Sequence, residues 1–330
     1  MRKKVVTIGG GTGSFNLLKG LKKYAIRDDE DDSIEIKFIA TSTDSGGSSG
    51  ILRDEFGILP PGDMRQGLVA LSNAPKALKW LFGYRFKNEK SALNGHNFGN
   101  LFMTALVEYS EGNERKAWEE IHRILDVKGK VMPATWDKTH IVATYEDGKV
   151  LEKEHIIDLS KNESLARIKR LYLKNKVKAN PEALEALIEA DAIIIGPGDL
   201  YTSIICNLII EDISKSICNS KAIKIYNCNI MTKPSETPNY TVADHLHDIE
   251  KYLGGGVINI VTYNNNTNFD YYLLEKYKEE KKYPVRFDKK EFEGKNIKLI
   301  GKDLISEKDI IRHDSNKLSK LMMDIIFYDV

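Results

Sequence analysis

Lys3 to Tyr24 reads KKVVTIGGGTGSFNLLKGLKKY, and this stretch decides the fold class. KKVVTI is an apolar run of strand length, and Phe15, Leu18 and Leu21 then recur at helical spacing. Between them lies the glycine turn GGGTGS, Gly9 to Ser14. A second apolar run, IEIKFIAT (Ile34 to Thr41), follows the charge run RDDEDD (Arg27 to Asp32), which reads as a surface connection. Beyond residue 180 the pattern repeats as PEALEALIEAD, AIIIGPGDLYTSIICNLII, AIKIYNCNIMTKPSET, TVADHLHDIEKYLG and VINIVTY. Strands alternating with helices of this length predict an α/β fold with a mainly parallel sheet covered on both faces.

In between, MRQGLVALSN, KALKWLF, FGNLFMTALVEY and ERKAWEEIHRIL each carry an apolar stripe, so residues 64–130 read as mainly helical. THIVATYEDGKVLEKEHIIDLS then alternates around Glu146-Asp147-Gly148, a hairpin signal, giving a small helical and hairpin subdomain. With no internal repeat and no low-complexity linker, the whole of 1–330 reads as one domain, with residues 265–330 as a C-terminal α/β extension. That extension holds DYYLLEKYKEEKK, the strand-like runs YPVRF and NIKLIG, and a last helix from Ser315.

Composition narrows the partners. The chain is 42% hydrophobic and 29% charged, and its 49 basic and 48 acidic side chains leave a net charge of +1. Such a balance provides no field that would draw the protein onto nucleic acid or an anionic membrane. The first apolar run is too short for a signal peptide and no stretch suits a bilayer span, so the expectation is a soluble, cytoplasmic protein. Three cysteines, Cys206, Cys218 and Cys228, lack a C-x-x-C pair and read as buried thiols rather than a disulfide framework or a structural zinc site.

Ligands of parallel sheets gather outside the carboxyl ends of the strands, and GGGTGS, TDSGGSSG, GPGDLYTS and IMTKPSET each directly follow a strand-like run. GGGTGS places Gly10, Gly11, Thr12 and Gly13 between strand and helix, where backbone N–H groups and the helix dipole favour a phosphate. It is not a P-loop, and Ser14 stands where a dinucleotide fingerprint has its third glycine. A turn that binds nothing, or a dinucleotide site with Asp44 on the ribose, competes with the phosphate reading. The second cluster, ATSTDSGGSSGILRDEFGILPPGDMRQ (Ala40 to Gln66), reads as a long ligand loop. Ser45, Gly46, Gly47, Ser48 and Ser49 offer close backbone approach and hydroxyls, and Arg53 offers a fork for an anion or a structural salt bridge. Asp44 can hold a cation such as magnesium, and Asp63 is either a site carboxylate or the N-cap of the next helix.

GHNFGN opens a helix with His96, Asn97 and Asn100, and His96 serves either as a hydrogen-bonding or acid/base group or as a cap. Gly196, Pro197, Gly198, Asp199, Tyr201, Thr202 and Ser203 repeat the strand–glycine–helix arrangement. Asn229, Thr232 and Glu236 form a polar run suited to hydroxyls or a base edge. Among these groups Asp44, Asp63 and His96 are the catalytic candidates, and Asp44 is the candidate metal ligand.

Taken in order, IGGGTGSFNLLKGLK, TDSGGSSGILRDEFGILPPGDMRQGLVAL, GHNFGNLFMTAL, GPGDLYTSIICNLI and CNIMTKPSETPNYTVADHL resemble the gluconeogenesis factor, or YvcK-like UDP-N-acetylglucosamine-binding, family. That family lies within the CofD-like superfamily of 2-phospho-L-lactate transferases. The resemblance implies a Rossmann-like three-layer α/β/α fold, a UDP-sugar bound across the strand ends, and a role in central carbon metabolism and in cell-wall and cell-shape control. It also implies that IIRHDSNKL closes the site, with Arg312 as a ligand contact and Tyr263 as its partner. Ile51 stands where the family often has arginine and Ser235 where it often has glycine, and residues 265–308 match poorly. Two classes of function follow: a regulator, expected as a homodimer, that binds UDP-N-acetylglucosamine with no certain cofactor, and a magnesium-dependent transferase of a phosphate-linked group. An NAD-binding enzyme is a further alternative.

Overall fold

The computed structural model describes residues 2–25, 33–160, 164–307 and 310–328; the RDDEDD run lies outside them. β1 (Lys3–Gly9) turns directly into α1 (Gly11–Leu21), and β2 (Ile34–Ala40) pairs parallel with β1. A helical block follows, made of α2 (Gly47–Phe56), α3 (Gly62–Leu71), α4 (Lys76–Gly83), α5 (Phe98–Tyr109) and α6 (Glu114–Ile124). β3 (Lys130–Pro133) then returns to the sheet beside β2. β4 (Ile141–Tyr145), β5 (Val150–Glu152), α7 (Glu154–Asp158) and β6 (Ile168–Leu173) make a side module whose strands are antiparallel in the order β5-β4-β6.

The main sheet resumes with α8 (Pro181–Glu189) and β7 (Ala192–Ile195), then a π-helical turn, Leu200–Ile205, that runs into α9 (Cys206–Leu208). Next come α10 (Glu211–Asn219), β8 (Ile223–Asn227), α11 (Val242–Leu253) and β9 (Ile260–Asn264). The extension contributes α12 (Tyr271–Glu279), β10 (Lys298–Lys302), the hairpin of β11 (Ile305–Glu307) and β12 (Ile311–His313), and α13 (Ser315–Tyr328).

The seven-stranded sheet has the order β10-β9-β8-β7-β1-β2-β3, and every pairing in it is parallel. Side chains of a strand alternate between faces, and the two cores follow that alternation. Val6, Ile193 and Ile195 pack with α8, α10 and α11 on one face. Val5, Ile194 and Ile225 pack with α1, α3 and α13 on the other. This is the expected three-layer α/β/α fold. Among the described residues no helix is long and apolar enough to cross a membrane.

Some local readings are corrected. Ala40 to Gln66 is not one long loop, because GSSGILRDEF forms α2. Ile51 and Phe56 of that helix are exposed and only Leu52 among its large apolar residues is buried, so its sequence carries no apolar stripe. Tertiary contacts hold it: Leu52 packs with Val107, and Ser48 is bonded from α5. EHIID is helical rather than a continuation of the hairpin, and IKRLYL and KVMP are strands the alternation did not mark. YPVRF makes only isolated bridges, at Pro284 and Arg286. Cys206 and Cys228 are buried, but Cys218 is exposed on the outer side of α10, its Sγ donating to Leu253 O at 3.0 Å.

Candidate functional site

Strand order reverses between β1 and β7: the chain moves one way from β1 to β3 and the other way from β7 to β10. A crevice opens at such a reversal because the two outgoing connections leave toward opposite faces. Here the two outgoing connections are the two glycine turns. Gly11 sits at φ +64° and Gly196 at φ +76°, left-handed conformations that glycine adopts without strain. A Cβ on Gly13 would lie 2.5 Å from Pro197 O, and Ser14 Oγ donates to the same carbonyl at 3.3 Å. The turns are therefore in direct contact.

They wall a cleft of about 360 Å³. Gly10, Gly11, Thr12 and Gly13 form one side, and Pro197, Gly198, Asp199 and Ser203 the next. Asn229 closes the end of β8, its Oδ1 accepting from Gly198 N at 3.2 Å. Arg312, on β12, supplies the opposite wall together with Tyr277 and Lys282. Tyr277 anchors that wall: its hydroxyl accepts from Ile311 N at 3.1 Å. Beneath it His313 is buried, with Nε2 3.2 Å from Asn227 Nδ2.

One amide of the first turn is already engaged. Gly11 N donates to Asp63 Oδ1 at 2.8 Å. Asp63 stands in the first turn of α3, whose N-cap is Pro61, so it reaches across to α1 instead of capping its own helix. Burial, reinforced by the neighbouring charge of Asp44, pushes its pKa up to about 7. Asp44 accepts from Gly46 N at 2.9 Å and lies against Gly62, where a Cβ would meet Oδ2 at 2.3 Å. Burial raises its pKa as well. Glu154 comes from α7 with Oε2 3.4 Å from Ser45 N, and burial, with Asp44 and Asp158 adding, lifts it to about 9. Asp44, Asp63 and Glu154 are thus an acidic group beside the first turn, with the hard oxygen donors that magnesium prefers. Arg65 is the nearby cation, bonded to Asn100 Oδ1 at 2.8 Å and Phe82 O at 2.9 Å, and burial pulls its pKa down to about 10.

Asp44, Asp63 and Glu154 are not close enough together to share an ion; among the described residues the carboxylates with metal-ligand spacing are a different cluster, Asp158, Asp199 and Glu236. Lys233 Nζ fills it, bonded to Asp199 at 2.7 Å, to Glu236 at 3.1 Å and to Asp158. Burial lowers the pKa of this ammonium, but the three carboxylates outweigh it and hold its pKa high.

The remaining sequence candidates lie outside the cleft. Ser48 Oγ accepts from Asn97 N at 3.2 Å and Asn100 Nδ2 at 3.3 Å and lies 3.3 Å from His96 Nδ1. Ser49 Oγ accepts from Asn100 Nδ2 at 3.2 Å, so these residues join α2 to α5. His96 does not cap α5; Asn97 does. Arg53 donates to the carbonyls of Thr139 and Asp44 and has no ion pair among the described residues. Gly46 and Gly47 begin α2, and Ser45 Oγ lies 3.0 Å from His155 Nδ1. Tyr201 is buried with its hydroxyl on Asp248, and Glu236 caps the π-helical turn, accepting from Tyr201 N at 2.8 Å and Thr202 Oγ1 at 2.9 Å. Thr232 accepts from Tyr283 N at 3.0 Å. Tyr263 is not beside Arg312: it stacks on Phe287 at 4.0 Å and covers Gly301. Sequence reasoning missed Asn16, Tyr277, Lys282 and His313. Asn16 was signalled by a polar residue beside the apolar stripe of α1, whereas Tyr277 and Lys282 carry no local mark.

The chain is similar to known proteins over nearly its whole length. The family model described as 2-phospho-L-lactate transferase CofD matches residues 5–305. A putative gluconeogenesis factor of Thermoanaerobacterium thermosulfurigenes is 40% identical over 325 residues, 98% of this chain and 97% of that protein. The gluconeogenesis factor of Bacillus subtilis (strain 168) is 38% identical, with 98% of each chain covered. A crystal structure of a upf0052 family member from Bacillus halodurans superposes with a TM-score of 0.89 at 36% identity, covering 98% of this chain and 99% of the other. With its glycine turns meeting at the reversal of a parallel sheet and near-complete coverage of these relatives, the chain belongs to the CofD family, alongside the proteins named gluconeogenesis factor.

Proposed function

We propose that the protein is a regulator of central carbon metabolism and cell-wall synthesis that binds a nucleotide-sugar, UDP-N-acetylglucosamine, in the cleft between the two glycine turns. The observation that carries this reading is the contact of the two turns opposite Arg312. Backbone amides at the start of α1 and a guanidinium across the cleft suit a diphosphate, which is approached from two sides by donors. Asp63 restricts where that diphosphate sits, since its carboxylate already holds Gly11 N. Asn229 likewise holds Gly198 N, so the phosphates lie toward Thr12, Gly13 and Arg312. A dinucleotide is disfavoured because Asp44, the acid its ribose would need, is spent on Gly46 behind Gly62.

The acidic group supports a second reading, magnesium-dependent transfer of a phosphate-linked group. Asp44 would hold the ion, which would neutralise charge on phosphate oxygens. Calorimetric titration with UDP-N-acetylglucosamine, with and without magnesium, separates the two. Binding without turnover supports the regulator, and magnesium-dependent release of a nucleotide supports the transferase. Arg312→Ala is expected to weaken binding by tenfold or more, about 1.4 kcal/mol, with no fall in melting temperature. Unchanged affinity would remove Arg312 from the site.

A further inference from the structure

Asn16 occupies the second turn of α1, a position that favours residues other than asparagine because its side chain competes for backbone hydrogen bonds. It is 7% exposed, packed between the cleft and the helical face that buries Leu17 and Leu18. Buried side-chain amides are normally paired. Among the described residues the Asn16 amide has no hydrogen-bond partner, yet its polar atoms are not sealed in the core. Asn16 lines the cleft, and it also lines the smaller cavity beyond it, about 330 Å³, bounded by Lys19 and Ser315. Arg312 borders the same two spaces and, among the described residues, likewise has no carboxylate partner. His313, the third residue common to both, is committed to Asn227.

The two unpaired groups differ in what they can recognise. A guanidinium only donates, whereas a carboxamide has one donor side and one acceptor side. A phosphate or carboxylate beside Asn16 would satisfy Nδ2 and leave Oδ1 without a partner. A pair of neighbouring hydroxyls satisfies both, one accepting from Nδ2 and the other donating to Oδ1, while Arg312 stays free to hold the adjacent phosphate. One helical turn separates Asn16 from the Gly11–Gly13 amides, about 5 Å along the axis, so the group it reads is a near neighbour of the diphosphate.

We propose that Asn16 is a specificity-determining residue that reads the vicinal ribose hydroxyls of a diphosphate-linked nucleoside. This inference rests on the nucleotide-sugar reading of the cleft. Asn16 selects ribose over deoxyribose, because a deoxy ligand displaces water from the amide and leaves one side of it unpaired.

The test is calorimetric titration of the wild-type protein and Asn16→Leu with UDP-N-acetylglucosamine and with its 2′-deoxyribose counterpart, alongside the melting temperature of each free protein. The wild type should bind the ribose ligand about tenfold more tightly than the deoxy ligand, the scale of one hydrogen bond made in a buried site. Asn16→Leu should lose that factor for the ribose ligand, bind the two ligands equally, and melt close to the wild-type temperature, since the amide makes no hydrogen bond to the protein among the described residues. Equal losses for both ligands, an unchanged ribose preference, or a clear fall in melting temperature would overturn the role of Asn16. Failure of the wild type to bind either ligand would instead overturn the nucleotide-sugar reading, and this inference with it.

Discussion

His313 lies at the base of the cleft as a neutral imidazole, since burial pulls its pKa down to about 4, against a weaker upward pull from a backbone hydrogen bond at Cys228. Above an unfolded-state pKa near 6.5 the ring is neutral in both states and stability does not depend on it. As the pH falls below that value the unfolded chain takes up a proton that the folded chain refuses. Stability is therefore lost progressively down to about pH 4, by about 3 kcal/mol in all from this residue. His313→Gln should flatten that part of the pH profile, which urea midpoints at pH 7 and pH 5 would show. A profile unchanged by the substitution would mean that other groups govern acid sensitivity. Asp63 illustrates the limits of reading single residues. Its position after Pro-Pro-Gly is compatible with a cap, and only the fold shows that its carboxylate serves Gly11 on another helix.

At the scale of elements, the glycine turns work because they touch. Gly13 must lack a side chain, since a Cβ would stand 2.5 Å from Pro197 O and 3.0 Å from Gly198 N, against backbone that cannot rotate away. Gly13→Ala is expected to force the turns apart, costing about 1–3 kcal/mol of stability and most of the ligand affinity. A variant that binds and melts like the wild type would refute this. Gly20 plays the same part between α1 and α13, where a Cβ would lie 2.1 Å from Ser315 O. That close approach carries β12, and therefore Arg312, to the edge of the cleft. Elements with a regular apolar period, such as α1, α11 and α13, were legible from their sequences. α2 was not, because its serines and glycines are held by partners on α5 rather than by an apolar stripe of their own.

For the molecule as a whole, Lys233 joins the side module to the sheet, binding Asp158 of α7, Asp199 of the second turn and the fully buried Glu236. Glu236 is buried while the other three are partly exposed, so removing the cation leaves one buried carboxylate uncompensated, at a cost of about 1–3 kcal/mol. Lys233→Met should destabilise the protein on that scale and release α7. Hydrogen exchange would then quicken first over β4, β5, α7 and β6, and uniform acceleration across the sheet would contradict this tethering role.

The sequence by itself determined the repeating strand, turn and helix, the parallel sheet they imply, and the placement of polar clusters after strands, because these depend on periods of a few residues. The tertiary structure alone decided which clusters become neighbours. It set Ser14 against Pro197, 183 residues away, and left Ser48, Asn97 and Asn100 as a joint between helices. It also brought Arg312, Lys282 and Asn16 around one cleft. Such choices depend on sheet order and on which surfaces bury each other, and no local run of residues encodes either.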